Sequence, residues 1–196
     1  MHGDVRVRGL RQRDAKVLEA LIRGNRDWLQ PWEATNPRGS NEIDIKAMVR
    51  GLIRQANLHQ GLPMLIEVDG QVIGQLNVAN ILYGSVGSAV IGYWIAPGFA
   101  GRNIMPTAVA LTVDYLIHVM GLHRVEIDIR PENAASLRVV EKLGFRFEGT
   151  KLGYIHIAGD WRDHYSFALT SDEVRGGLLN RFVRGEVVDP RYPFRA

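Results

Sequence analysis

The sequence contains no cysteine, which excludes a disulfide framework, thiolate metal sites and a cysteine nucleophile together. Neither sign of charge dominates: 24 Lys plus Arg stand against 21 Asp plus Glu, a net charge of +3. The basic residues form no run and alternate with no stacking aromatics, so the sequence predicts no direct nucleic-acid partner. Long apolar runs are missing too. Residues 70–101 carry no charge, but Gln71, Gln75, Asn77, Asn80, Ser85, Ser88 and several glycines interrupt them, whereas a membrane-spanning helix needs ~20 predominantly apolar residues. Buried strands explain the stretch better, and no membrane association is expected. The first ten residues, MHGDVRVRGL, are charged where an export signal is apolar, which predicts a cytoplasmic protein. Histidines at metal-ligand spacing are absent as well. His118 and His123 flank a helix end and His156 and His164 lie on separate strands, so no metal is predicted.

What is present is an ordinary globular composition, 46% apolar and 23% charged over 196 residues, enough for one core. Alternation predicts a strand over 4–9. Val17, Leu18, Leu21 and Ile22 follow Asp14 at helical spacing, and Ile45, Met48, Val49, Leu52 and Ile53 mark a second helix. Residues 27–41 read as a loop. The pair Asp69-Gly70 between apolar strands predicts a hairpin, and a further strand follows over 88–96. Residues 104–120 form a helix apolar on nearly every side apart from Asp114, hence buried against a sheet. Then come strand 123–130, a helix from Asn133 closed by Gly144, two strands, a helix over 172–184 and a loose tail from 186. The order β-α-α-β-β-β-α-β-α-β-β-α predicts an α+β fold with a mixed, mostly antiparallel sheet of six to seven strands flanked by helices. Residues 1–171 are expected to form one domain and 172–196 a C-terminal helix and tail.

The informative segment is GYWIAPGFAGRNIMPTAVALTVDYLI: a strand, a glycine-containing turn, then a long apolar helix. Such a junction presents a helix N-terminus with free N–H groups and partial positive charge, suited to phosphate. Gly98 and Gly101 let a ligand approach the backbone, and Arg102 adds a cation. About thirty residues on comes PENAASLRVVEKLGF, with Asn133 before a helix and Ser136 one turn in.

Together these segments resemble the pyrophosphate-binding motif A and the following motif B of the GNAT family of acyl-CoA-dependent N-acetyltransferases. NRDWLQPWE, IGYWIAP, GFRFEG and GDWRDH further resemble the RimJ-like ribosomal-protein-alanine N-acetyltransferase branch, over roughly residues 4–172. The resemblance departs from the family at motif A. The leading long side chain is missing, and Asn103 stands where a small residue is usual, either crowding the pyrophosphate or donating its amide to it.

The resemblance implies acetyl-CoA as co-substrate, with Trp94, Ile95, Gly98, Gly101, Arg102, Asn103, Ile104 and Asn133 binding it. An N–H at Trp94 or Ile95 would polarise the thioester oxygen, and Asn133 would contact the pantetheine arm. Ser136 would serve the leaving thiolate and Asp128 would act as base, although a solvated Asp–Arg strand face fits Asp128 equally. Trp32 and Glu33 would wall the acceptor groove, Glu33 receiving the ammonium. The weak base supply favours an α-amino group, whose ordinary pKa of about 7.7–8.0 lies roughly 2.5 units below that of Lys. The expected acceptor is therefore a protein N-terminus, with a ribosomal protein among the candidates, and the enzyme a monomer or homodimer. The alternatives are a GNAT enzyme acting on a small amine and a non-catalytic acyl-CoA-binding module.

Overall fold

The computed structural model describes residues 2–39 and 44–186; nearly all of the tail expected from 186 lies outside the described residues. In chain order the elements are β1 (Val5–Gly9), α1 (Ala15–Gly24), α2 (Arg26–Leu29), α3 (Ile45–Asn57), β2 (Leu62–Val68), β3 (Gln71–Leu82) and β4 (Ser88–Ile95). There follow α4 (Ile104–Asp114), β5 (Arg124–Ile129), α5 (Ala134–Leu143), β6 (Arg146–Ile157), β7 (Asp160–Thr170) and α6 (Leu178–Val183). The strands form one seven-stranded sheet in the order β1-β2-β3-β4-β5-β7-β6. Every neighbouring pair is antiparallel except β4 and β5. The α+β fold with a mixed sheet is thus the one expected.

Local chemistry accounts for the turns. Asp69 and Gly70, between β2 and β3, have φ of +51° and +76°, as a two-residue type I′ hairpin turn requires at both positions. The parallel pair needs a crossover, which α4 and a following π-helical turn over Tyr115–Val119 provide. Helix α5 starts at Asn133, whose side chain accepts from Ser136 N, and ends at Gly144 in the left-handed conformation, a standard cap pair.

Alternation along the strands builds a core on each face of the sheet. Met64, Ile66 and Val68 of β2 join α4, α5 and α6 in one cluster. Leu65 packs with Leu18, Ile22, Ile45 and Val49 of α1 and α3 in the other. Buried leucines and valines of this kind stabilise the fold by roughly 1.5–3 kcal/mol each.

Two elements differ from the sequence expectation. The segment 27–41 holds α2 and a 3₁₀ turn over Gln30–Trp32. In place of one helix over 172–184 there is a 3₁₀ turn at Ser171–Val174 and then α6. Gly177 separates them with φ +88°. Asp114, the one charge interrupting the buried α4, explains where α6 begins: its carboxylate accepts from Leu178 N at 2.5 Å and Leu179 N at 3.1 Å. Val174 and Leu178 complete the main core.

Candidate active site

The site begins with an absence of pairing. Strands β4 and β5 are in register only at Ser88–Arg124, Ala89–Val125 and Val90–Glu126. Beyond that, β4 runs on to Ile95 and β5 to Ile129 without bonding each other, and a wedge opens at their carboxyl ends. Helix-flanked sheets commonly bind ligands at such a place. The cleft there has a volume of about 210 Å³ and is lined by Ile91, Gly92 and Tyr93 from one strand and Ile127, Asp128 and Ile129 from the other.

Register decides which amides face the wedge. Ala96 N donates to Ile73 O at 2.8 Å, and Trp94 is paired with Gln75 and Gly92 with Asn77 on β3. Antiparallel alternation therefore turns the Trp94 N–H to β3 and the N–H groups of Tyr93 and Ile95 to the cleft. Of the two amides expected at the thioester, that of Ile95 faces the cleft and that of Trp94 faces β3, and the Tyr93 amide faces the cleft beside Ile95. The Trp94 side chain packs instead against the α1 and α3 cluster.

The turn into α4 has the form a diphosphate needs. Among the described residues, the amides of Gly101, Arg102, Asn103, Ile104 and Met105 donate no hydrogen bond; the first helical acceptor in use is Asn103 O, at 3.1 Å from Thr107 N. Gly101 (φ +76°) and Asn103 (φ +59°) are both left-handed, which fans successive N–H groups outward. A Cβ built on Gly98 or Gly101 would meet nothing within 4 Å, so the space before them is open. Arg102 is exposed and its guanidinium lies 5.5 Å from the Phe99 ring centroid. The Ile104 side chain is buried, so only its unpaired amide is open at the turn. Asn103 neither fills the loop nor is idle: its Oδ1 accepts from Lys142 Nζ at 2.6 Å. That brings a second cation, unforeseen in the sequence, to the turn into α4.

Across the wedge, Asn133 and Ser136 line the cleft at the start of α5. Asn133 Oδ1 is engaged by Ser136 N at 3.1 Å, leaving its Nδ2 as the donor toward the cleft. Tyr93 spans the gap, its hydroxyl donating to Ser136 O at 3.4 Å, and burial raises the Tyr93 phenol above its ordinary range. The Asp128 carboxylate lies 2.9 Å from Lys151 Nζ, with Glu126 3.4 Å from the same ammonium. Burial pulls the Lys151 ammonium down, but Asp128, Tyr154 and Glu126 outweigh it and leave the group raised. Asp128 is thus a compensated charge, and the only acidic residue among those lining the cleft.

A residue without a sequence signal completes the wall. His164 of β7 lines the cleft and is 4% exposed. In the sequence a single histidine between Asp163 and Tyr165 reads as the structural start of a strand.

The aromatic segment from α2 onward forms the rim. Trp32 and Ala34 line the cleft, and the segment is fastened at several points. Trp28 Nε1 donates to Ile95 O at 2.9 Å. Arg130 donates to Pro31 O at 2.8 Å and stands over the Trp32 ring. Thr35 N donates to His156 O at 2.8 Å. Glu33, expected to meet the incoming ammonium, is instead paired with Arg26 and is not among the lining residues.

Among the described residues no group of three His, Asp or Glu is placed to hold a metal ion, and no helix is long and apolar enough to cross a membrane. Residues 4–146 match the sequence profile of the Acetyltransferase (GNAT) domain. The chain is 31% identical to the probable N-acetyltransferase YjcK of Bacillus subtilis, over 85% of this chain and 94% of that protein. It is 29% identical to the [ribosomal protein uS5]-alanine N-acetyltransferase of Escherichia coli, over 85% and 88%. Among solved structures, Mycobacterium smegmatis RimJ in complex with CoA-disulfide superposes with a TM-score of 0.85 at 34% identity, covering 92% of this chain and 88% of that one.

Proposed function

We propose that this chain, which belongs to the GNAT acetyltransferase family and so is an acetyl-CoA-dependent N-acetyltransferase, acts on the N-terminal α-amine of a protein. The observation that carries this reading is the charge of the cleft. Its one lining carboxylate, Asp128, is matched by Lys151, and Arg130 stands at the rim. A cleft so balanced gives no electrostatic attraction to a polyamine, whereas an α-amine, ~10% neutral at pH 7 from its ordinary pKa of ~8, needs little help to become a nucleophile. The relatives named for ribosomal protein uS5 alanine and as RimJ support a ribosomal protein as the acceptor, which would place the enzyme in the cytoplasm.

Acetyl-CoA, when bound, supplies the thioester carbon that the amine attacks. The chain's own residues do the rest. The open amides of Gly101–Met105, with Gly98, Arg102 and Lys142, hold the diphosphate end. Asn133 Nδ2 contacts the pantetheine arm. The Tyr93 and Ile95 amides point at the oxygen that gains charge in the transition state. Ser136 Oγ hydrogen-bonds the departing thiolate, and Asp128 adds negative charge to the wall beside the attacking nitrogen. Trp32 walls the acceptor side and holds the amine near the reacting carbon.

Labelled acetyl-CoA offered with Ala-leading and Ser-leading peptides, their N-terminally blocked forms and spermidine tests the acceptor. The expected label is on the α-amine of the free peptides, with kcat/KM at least about tenfold above spermidine, a difference of ~1.4 kcal/mol. A preference for spermidine, or equal labelling of blocked peptides through lysine, overturns it.

A further inference from the structure

The cleft contains a nearly buried side chain with an open nitrogen that the mechanism above does not use. His164 Nδ1 lies 3.0 Å from Arg162 O. A carbonyl only accepts, so Nδ1 carries the proton and the neutral ring presents a bare lone pair at Nε2. Among the described residues Nε2 has no hydrogen-bond partner, although the ring is 4% exposed and lines the cleft. It shares the cleft wall with Asp128, whose charge acts on the ring, and with Tyr93 and Ser136, and that position gives it a use.

We propose that Nε2 of His164 accepts the proton shed by the acceptor nitrogen as that nitrogen bonds to the thioester carbon, with Asp128 as a positioning residue that stabilises the imidazolium so formed. The inference rests on the reading of this cleft as the acetyl-transfer site. The neutral amine donates its pair to the carbonyl carbon and the carbonyl pair moves to oxygen, toward the β4 amides. The N–H proton passes to Nε2. When the oxygen pair returns, the C–S bond breaks and the thiolate takes a proton relayed from the imidazolium through Ser136 or water. Amine and thioester become amide and thiol, with no net proton or electron left over.

The surroundings of the ring suit the task. Asp128 and Arg130 face it from β5 and the residue following, Glu132 from the loop beyond, and Lys151 and Tyr154 from β6. Arg162 and Asp163 precede it on its own strand. Burial pulls the imidazole below its ordinary range, partly opposed by the Arg162 carbonyl, Asp128 and Glu132. With Nδ1 donating to Arg162 O, Nε2 is the ring nitrogen left to accept.

The test compares wild type with His164→Gln and Asp128→Asn in steady-state acetylation across pH, with CoA binding followed by calorimetry. For His164→Gln the expected result is a fall in kcat/KM on the order of 10²-fold at pH 7, CoA affinity unchanged, and a rate that climbs with pH in parallel with the free amine. Asp128→Asn is expected to move the acid limb of the wild-type profile to lower pH, because the imidazolium loses its counter-charge. An unchanged rate and profile in His164→Gln overturns the proposal, as does a loss confined to CoA binding. Nitrogen-15 NMR of wild-type histidines needs neither turnover nor a folded variant. It is expected to show His164 as the Nδ1–H tautomer, and the Nε2–H tautomer would overturn the assignment. If the enzyme prefers spermidine to peptides, the acceptor reading falls, and the same comparison run with spermidine still decides His164.

Discussion

Replacing Gly74 by alanine is expected to lower kcat/KM on the order of 10²-fold, although the residue lies on β3 and lines no part of the cleft. A Cβ at this position would sit 2.5 Å from Trp94 O and 3.0 Å from Ile95 Cα. Both are backbone atoms of β4, so no side chain can yield, and β4 itself must move. Tyr93 and Ile95 lie on the segment of β4 that β5 does not hold, and their amides are the ones turned to the cleft and proposed to meet the thioester oxygen. Overpacking of this sort costs about 1–3 kcal/mol of stability, a loss that the whole domain can survive. The distinguishing result is therefore a folded variant that binds CoA normally through the α4 turn and reacts poorly. Parallel measurement of kcat/KM, CoA affinity and melting temperature checks it; full activity would mean that the β4 amides have no part in the reaction.

The second large effect concerns stability. Arg8 pairs with Asp14 at 2.7 Å and with Glu67 at 2.7 Å, and both carboxylates are buried. Arg8→Met leaves two negative charges without a partner beneath α1, which is expected to cost about 3–5 kcal/mol and to lower the melting temperature on the order of 10 °C. The pH dependence separates this from simple loss of packing. In wild type the hydrogen bond from Arg8 holds the Asp14 carboxyl below the usual carboxylate range. Its stabilisation is then complete above the unfolded-state value and is lost as pH falls through the folded one. In the variant that hydrogen bond is gone while burial still acts to raise the Asp14 carboxyl, so its contribution reverses sign. The stability gap between the proteins should narrow as pH falls toward 4. Thermal melts at several pH values measure this; a gap independent of pH would show that the guanidinium acts through packing alone.

How much could be read from the sequence depended on whether a feature is local. The Asp69-Gly70 turn, the Asn133 cap and Gly144 closure of α5, and the buried character of α4 each follow from a few neighbouring residues, and all are found. The alternation of Val125, Ile127 and Ile129 against Glu126 and Asp128 is likewise visible in the strand's burial. The wedge is different, because it consists of hydrogen bonds that β4 and β5 do not make, and no residue type announces a missing bond. Which of the Trp94 and Ile95 amides faces it could not be read for the same reason: the parity comes from pairing with β3. Glu33 and Asp128 carry charges expected to be available in the cleft, yet Arg26 and Lys151, distant or unremarked in sequence, engage them. His164 shows the limit from the other side. Its isolation in the sequence conceals its place on the cleft wall, which comes from β5, β6 and β7 meeting.

The central claim is that the unpaired amides opening α4 grip the diphosphate of acetyl-CoA and thereby lay its thioester in the wedge. Titration of nitrogen-15-labelled protein with CoA, followed at assigned backbone amides, tests this directly. The account predicts that Gly101, Arg102, Asn103, Ile104 and Met105 shift together and saturate at one affinity, with Tyr93 and Ile95 responding at the same concentration. Saturable binding of CoA that leaves the amides of Gly101–Met105 unmoved would contradict it.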